Sequence, residues 1–231
     1  MSSMLCSSLI GCSVLSAFVM ACWPKHLERM IQPVSYLLML LNVQIVVQMF
    51  SRFDTQNSGF QLVEKASWVP MLNMHYHVGV DGISILLVAL TVFATLLVVI
   101  SQASLMSFAA RSYLATFFLM QAVTVGVFMA LDGVLFYLFW ESTLIPMYLA
   151  LGIWGSSDRL YASRKFFIFT FVGSLFLLLA IIYLGVKAET FDMILWYPLP
   201  LTMVEQIVLF LMFSAAFAIK VPMFPLHIWL P

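Results

Sequence analysis

Two ionisable side chains stand alone inside long apolar stretches. Glu141 lies near the middle of DGVLFYLFWESTLIPMYLALGIWG (Asp132–Gly155), where between Val134 and Trp154 only tyrosines can also titrate. Lys220 is placed in the same way within QIVLFLMFSAAFAIKVPMFPLHIWLP (Gln206–Pro231). A hydrocarbon core about 30 Å thick takes about 20 helical residues, so either stretch is long enough to cross it. A charge at that depth costs about 2.5–3.5 kcal/mol on insertion scales, and so demands a partner, water or a change of protonation. An acid and a base at similar depth answer each other's demand. With Glu141 ionised nearby Lys220 keeps its proton; with Glu141 neutralised or moved away, desolvation disfavours the ammonium and the proton can be passed on. A buried pair that opens and closes is a proton-transfer switch. The alternative is a static salt bridge bracing two helices, a costly means of fixation. His227, further along the second stretch, titrates near neutral pH and either extends the relay or stays neutral against backbone carbonyls.

The elements that carry these groups are helices with deliberate weak points. Pro222 and Pro225 follow Lys220, and each removes a backbone donor and clashes with the preceding turn, so a regular helix should break there. Inside a membrane the freed carbonyls survive only where protein or cavity water satisfies them, as in the discontinuous helices of transporters. Pro146, five residues after Glu141, frees the carbonyl of Ser142 in the same manner, which either admits water beside the acid or makes a plain kink.

Seven apolar runs are legible: 4–22, 34–50, 83–100, 113–131, 134–154, 166–186 and 207–231. They predict an all-α fold, a polytopic transmembrane helical bundle of seven spans with the seventh broken at Pro222/Pro225. Asn42, Gln44 and Gln48 interrupt the second run, and amides in a spanning helix usually bond to a neighbouring helix. The fourth and fifth runs meet at Asp132-Gly133 with almost no loop, which makes them antiparallel neighbours and offers Gln121 and Thr124 to the Glu141 helix. The longest loop, 51–79, alternates Leu72, Met74, Tyr76, Val78 and Val80 with polar residues, a period-two pattern for a short strand or hairpin on the outer face. His75 and His77 share one side of it as surface residues, too few for a zinc site. Asp81 precedes the third run as a cap.

Composition agrees with a membrane protein. The chain has 231 residues, 64% apolar and 9% charged, with ten basic and ten acidic residues, which excludes an ordinary soluble domain and gives no basic field for nucleic acid. Cys6, Cys12 and Cys22 lack metal or redox spacing and read as packing residues, and no P-loop or dinucleotide fingerprint occurs. The first run has no preceding Lys or Arg and no cleavage signal, so it reads as a retained helix. Lys25, Arg29, Arg111, Arg159, Arg164 and Lys165 fall in one set of alternate loops, and Arg52, Lys65 and Lys187 in the other. The positive-inside rule then puts the N-terminus outside and the Arg159–Lys165 loop on the cytoplasmic or matrix side. The seventh run stops shortly after its break, and a continuation of the chain beyond Pro231 is expected.

The stretches FWESTLIPMYLALGIWG (Phe139–Gly155), YASRKFFIFTFVGS (Tyr161–Ser174) and FAIKVPMFPLHIWLP (Phe217–Pro231), with Asp81-Gly82-Ile83-Ser84 ahead of them, resemble the antiporter-like membrane subunits of proton-pumping NADH:quinone oxidoreductase, respiratory complex I. The likeness runs from about Trp68 onward, and residues 1–60 share only hydropathy. The Glu stretch and K-x-P-x-x-P-L-H-x-W-L-P are common to multisubunit Na⁺/H⁺ antiporters, while I-P-M-Y after Glu141 favours the chain 4 (chain M) branch. Arg164 departs from the usual uncharged residue before Lys-Phe-Phe. The resemblance implies that residues 1–231 are the N-terminal part of one antiporter-like membrane domain, that Glu141 and Lys220 are the acid and lysine of a proton relay, and that the chain holds no redox centre or nucleotide site. NADH, FMN, iron–sulfur clusters and quinone would belong to partner subunits. Partners would be other membrane subunits of complex I, including neighbouring antiporter-like chains, and lipid. The location implied is a bacterial inner or mitochondrial inner membrane. A subunit of a multisubunit Na⁺/H⁺ antiporter is the alternative; a seven-helix receptor gives no account of Glu141 and Lys220.

Overall fold

The computed structural model describes residues 4–102 and 110–230; Pro231, the expected end of the seventh run, lies outside them. Eight α-helices and one hairpin follow in the order α1 (Leu5–Ala21), α2 (Ile31–Arg52), β1 (Gln61–Val69), β2 (Met74–Val80), α3 (Ser84–Ser101), α4 (Ala110–Met129), α5 (Gly133–Ser142), α6 (Leu144–Trp154), α7 (Arg159–Ala188) and α8 (Met203–Lys220). The strands pair as a two-stranded sheet, and Asn73 takes the left-handed conformation at its turn (φ 49°), which its short polar side chain tolerates. Among the described residues six helical segments are long and apolar enough to cross a membrane: 27–52, 84–101, 110–129, 133–154, 159–188 and 203–220. The first expected span is shorter than the others, since α1 has 17 residues, at the lower limit of what crosses.

The chain divides into two compact units. The first comprises Met1–Lys65 and Val78–Ala130. In it α1 packs against α2 and α4, and α3 against α2 and α4. Helix α3 shows the membrane character of the unit. Its inward residues Ile85, Val88, Val92 and Val99 are buried, yet Leu86, Leu90, Phe93 and Leu97 on the opposite side are exposed and equally apolar. A helix apolar all round needs lipid on its free face. Asn42 bonds as expected of an amide in a spanning helix: it accepts from Ser13 Oγ (2.7 Å) and from Gln121 Nε2 (3.0 Å), and donates to the Leu38 carbonyl (2.8 Å). Gln44 and Gln48 are exposed instead. The NH₂ group of Gln121 is thus engaged by Ser13 and Asn42. Glu64 on β1 takes the first N–H groups of α1, accepting from Cys6 N (2.8 Å) and Ser7 N (3.1 Å), where the positive helix end favours a carboxylate. Of the three cysteines Cys6 is buried, Cys12 partly so, and Cys22 exposed because it falls one residue past the end of α1.

The second unit comprises Ala66–His77 and Leu131–Pro231. Its central element is α7, which packs against α5, α6 and α8. At 30 residues α7 is longer than the apolar run 166–186, and Arg159, Arg164 and Lys165, expected in a loop, occupy its first turns. The expected fifth span runs as α5 and α6 joined at Thr143, whose backbone stays helical (φ −64°, ψ −24°), and Pro146 leaves the Ser142 carbonyl without its ladder donor. The expected seventh span stops at Lys220, and residues 221–230 run as turns rather than resuming a helix.

The histidines differ from expectation. His77 is only 4% exposed, and its Nδ1 lies 3.2 Å from Asp192 Oδ2. The cause is a seam far away in sequence: Leu131 N donates to the His77 carbonyl (2.8 Å), Gly133 N to the Phe191 carbonyl (2.8 Å) and Met193 N to the Leu131 carbonyl (3.0 Å). This seam lays the 191–193 segment over the strand. Asp132, fully buried, ties the same place together by accepting from His75 N (3.0 Å), Val134 N (3.0 Å) and Leu135 N (3.1 Å), and so caps α5.

Candidate functional site

The site is built from α5, its continuation at Thr143, α7 and the end of α8. Asp132 starts α5, and Glu141 follows two and a half turns later, next to the junction at Thr143. Tyr137, one turn before Glu141 on the same helix face, and Ser174 of α7 place their hydroxyls against its carboxylate. Glu141 Oε1 is buried without a hydrogen-bond partner among the described residues.

Lys220 is brought to the same place because α7 and α8 pack closely. A Cβ added to Gly173 would lie 2.9 Å from Ile219 Cδ1 and 3.0 Å from Ile219 Cγ2, so only glycine allows the residue before Lys220 to sit there undisturbed. Thr202 and Glu205 open α8 with a capping box, Thr202 N donating to Glu205 Oε2 at 2.6 Å. At its other end Lys220 Nζ donates to Thr143 Oγ1 at 2.8 Å and lies 4.7 Å from the centroid of the Trp140 ring. Among the described residues no ion pair within 4.0 Å joins Lys220 to Glu141.

The break after Lys220 is satisfied by protein groups. Val221 N donates to the Phe217 carbonyl (2.8 Å), Met223 N to the Ala218 carbonyl (2.8 Å) in place of the N–H that Pro222 lacks, and the Trp229 indole Nε1 to the Ile219 carbonyl (2.8 Å). The turns therefore fold back on the helix end they leave. Trp229 also packs its ring on Phe166 of α7, with centroids 5.1 Å apart. His227 is half-buried beside Phe224, its Nδ1 without a hydrogen-bond partner, and among the described residues no hydrogen bond links it to Lys220 or Glu141.

The structure thus brings Lys220 to Thr143, two residues after Glu141, and among the described residues joins His227 to neither by a hydrogen bond. Sequence reading missed Thr143, Trp140, Tyr137, Ser174 and Gly173. Tyr137 had a signal in its i, i−4 spacing from Glu141, and Gly173-Ser174 in a small, polar pair within an apolar run. In chemical terms the arrangement is an acid with two hydroxyl neighbours and a lysine held by a hydroxyl oxygen and an indole face, all inside spanning helices.

Comparison with known proteins agrees with this anatomy. Residues 130–231 match the family described as NADH:quinone oxidoreductase/Mrp antiporter, TM. The chain is 41% identical over 201 residues to NADH-quinone oxidoreductase subunit M of Rickettsia typhi, covering 85% of this chain and 40% of the relative. It is 36% identical over 226 residues to NADH-ubiquinone oxidoreductase chain 4 of Arabidopsis thaliana, covering 97% and 46%. In fold it is similar to a chain of respiratory complex I from Thermus thermophilus, with a TM-score of 0.85 at 26% identity over 99% of this chain and 46% of that one. A chain of the Mrp complex from Dietzia sp. gives the same TM-score at 16% identity, a likeness of fold alone. The chain spans less than half the length of each of these relatives. Residues 130–231 thus match the NADH:quinone oxidoreductase/Mrp antiporter transmembrane family, and the chain that carries them, with six helical segments long and apolar enough to cross a membrane among the described residues, is similar to subunit M and chain 4 of NADH:quinone oxidoreductases.

Proposed function

We propose that the chain is the N-terminal part of one antiporter-like domain and that it translocates protons within an NADH:quinone oxidoreductase of a bacterial or mitochondrial inner membrane. Redox chemistry, with NADH, FMN, iron–sulfur clusters and quinone, belongs to partner subunits, and neighbouring antiporter-like chains are its membrane partners. Glu141 and Lys220 are the working pair. The observation that carries this reading is that an acid and a lysine from two different spanning helices share one place without forming a direct ion pair. A brace would be expected to close that contact. A proton carrier must be able to open it, since Lys220 close to an ionised Glu141 holds its proton and Lys220 desolvated without a counter-charge gives it up. The far-side turns carry His227 as the next proton acceptor, and the Arg159–Lys165 end of α7 faces the cytoplasm or matrix.

Glu141→Gln keeps the shape of the side chain and removes its titration. In the reconstituted complex it should abolish proton pumping while leaving assembly intact, and normal pumping would refute the assignment. The fold likeness to the Mrp complex favours a second reading, a subunit of a cation/proton antiporter. Co-purification with flavin and iron–sulfur proteins decides between the two.

A further inference from the structure

Lys220 is held by groups that have no charge of their own. Its Nζ donates to Thr143 Oγ1 at 2.8 Å, and the Thr143 hydroxyl in turn donates to the Trp140 carbonyl at 2.7 Å. The single hydroxyl proton is therefore used on the backbone, and the oxygen presents a lone pair to the lysine. The Trp140 ring, 4.7 Å from Nζ, offers its π face, which attracts an ammonium and has little to offer a neutral amine. That ring is fixed from two sides: Phe217 of α8 meets it edge-on (centroids 5.6 Å, 81°) and Phe136 of α5 lies 5.7 Å away. Trp140 and Thr143 flank Glu141 in one helical turn, so the acid and these two groups compete for the same lysine.

We propose that Trp140 and Thr143 form a second berth for the Lys220 ammonium, alternating with Glu141. The inference rests on the relay reading and refines it. Separation from Glu141 alone does not release the proton, because the berth stabilises the charged lysine; release requires that the contacts to Thr143 and Trp140 be given up as well. No proton moves when Lys220 enters the berth. Trp140 and Thr143 are positioning residues that act through Lys220. The titratable groups facing this place are Glu141 and Tyr137 on α5; α7 contributes the hydroxyl of Ser174, and His227 beyond the break makes no hydrogen bond to Lys220.

The test is proton pumping against pH in the full complex reconstituted in vesicles, for Thr143→Val, Thr143→Ser, Trp140→Phe and Lys220→Ala, each checked for assembly and electron transfer. Thr143→Val keeps the side-chain shape and removes the acceptor, so the alkaline limb of the pumping profile should move to lower pH by about one unit, the size expected for one charge-assisted hydrogen bond. Thr143→Ser should restore the wild-type limb. Trp140→Phe, with its weaker π face, should move the limb in the same direction by less, and it carries the test if Thr143→Val fails to assemble. A wild-type limb in Thr143→Val or, where that variant does not assemble, in Trp140→Phe would overturn the berth, as would a Thr143→Ser limb displaced like that of valine. Lys220→Ala separates the two levels: its normal pumping would remove the relay itself, whereas loss of pumping in Lys220→Ala beside an unshifted Thr143→Val would remove only the berth.

Discussion

Asp132 is the residue whose loss the structure prices most clearly. It is fully buried, and its two carboxylate oxygens accept three backbone N–H groups: Val134 and Leu135 on Oδ1 and His75 on Oδ2. Asp132→Ala removes a helix cap, which costs about 1 kcal/mol and up to about 2 where caps are well formed. It also strands the His75 N–H in a part-buried place, for about 1–3 kcal/mol more. The total is about 3 kcal/mol, large against the stability of a typical domain. Asp132→Asn separates the two parts. Its amide oxygen can still cap Val134 and Leu135, but the NH₂ group then faces the His75 donor, so it should lose about half as much. Unfolding of the purified protein in mixed micelles, followed by far-ultraviolet circular dichroism, gives the difference. Alanine within about 0.5 kcal/mol of wild type, or asparagine worse than alanine, would refute the account.

Three further outcomes are expected. Asp81 accepts from Ser84 N (2.7 Å) and Ile83 N (3.2 Å), and these bonds to its ionised form hold it below its ordinary value of 3.8. Its stabilisation of α3 is therefore present above that value and lost as pH falls through the lower folded value, so the stability gap between wild type and Asp81→Ala, about 1 kcal/mol near neutrality, should close on strong acidification, and a pH-independent gap would count against it. Gly173→Ala should destabilise by about 1–3 kcal/mol through overpacking on Ile219, and Ile219→Ala in the same chain should recover part of that in the same unfolding assay. The double change Glu141→Gln, Lys220→Met should assemble and fail to pump; near-normal proton-to-electron ratios would favour a brace, since removing both buried charges can be neutral for stability.

The charges of the site were legible because they break an apolar background, and the end of α8 was legible because two prolines follow it. What was not legible depends on neutral residues or distant segments. Thr143, Trp140, Ser174 and Gly173 are ordinary residues of a membrane helix, and only the approach of α7 and α8 gives them partners. Alternation put His75 and His77 on one side of the hairpin, but not which part of the strand would be covered; the 191–193 segment that buries His77 follows it by more than a hundred residues. The partners of the Gln121 amide were not legible for a similar reason. A short link between α4 and α5 says nothing about which face carries Gln121, and its partners, Ser13 and Asn42, belong to the first two helices. The span boundaries erred by a few residues where polar residues extend a helix beyond its apolar run, as Arg159, Arg164 and Lys165 do in α7.

Both residues of the proposed pair sit near a proline-marked point of their helices, Pro146 for Glu141 and Pro222 for Lys220. Glu141 lies two residues before the junction at Thr143, and Lys220 is the last residue of α8. A charge in the middle of an intact spanning helix is surrounded by side chains alone, because every backbone group is engaged in the ladder. Thr143 donates its hydroxyl to the Trp140 carbonyl, as serines and threonines do within helices, and its oxygen accepts from Lys220. At the end of α8 the Trp229 indole caps the Ile219 carbonyl immediately before Lys220 while its ring rests on Phe166 of α7. In the proposed scheme Thr143 and Trp140 thus offer Lys220 a neutral resting place at the end of a helix whose last carbonyls are already held by Met223 and Trp229.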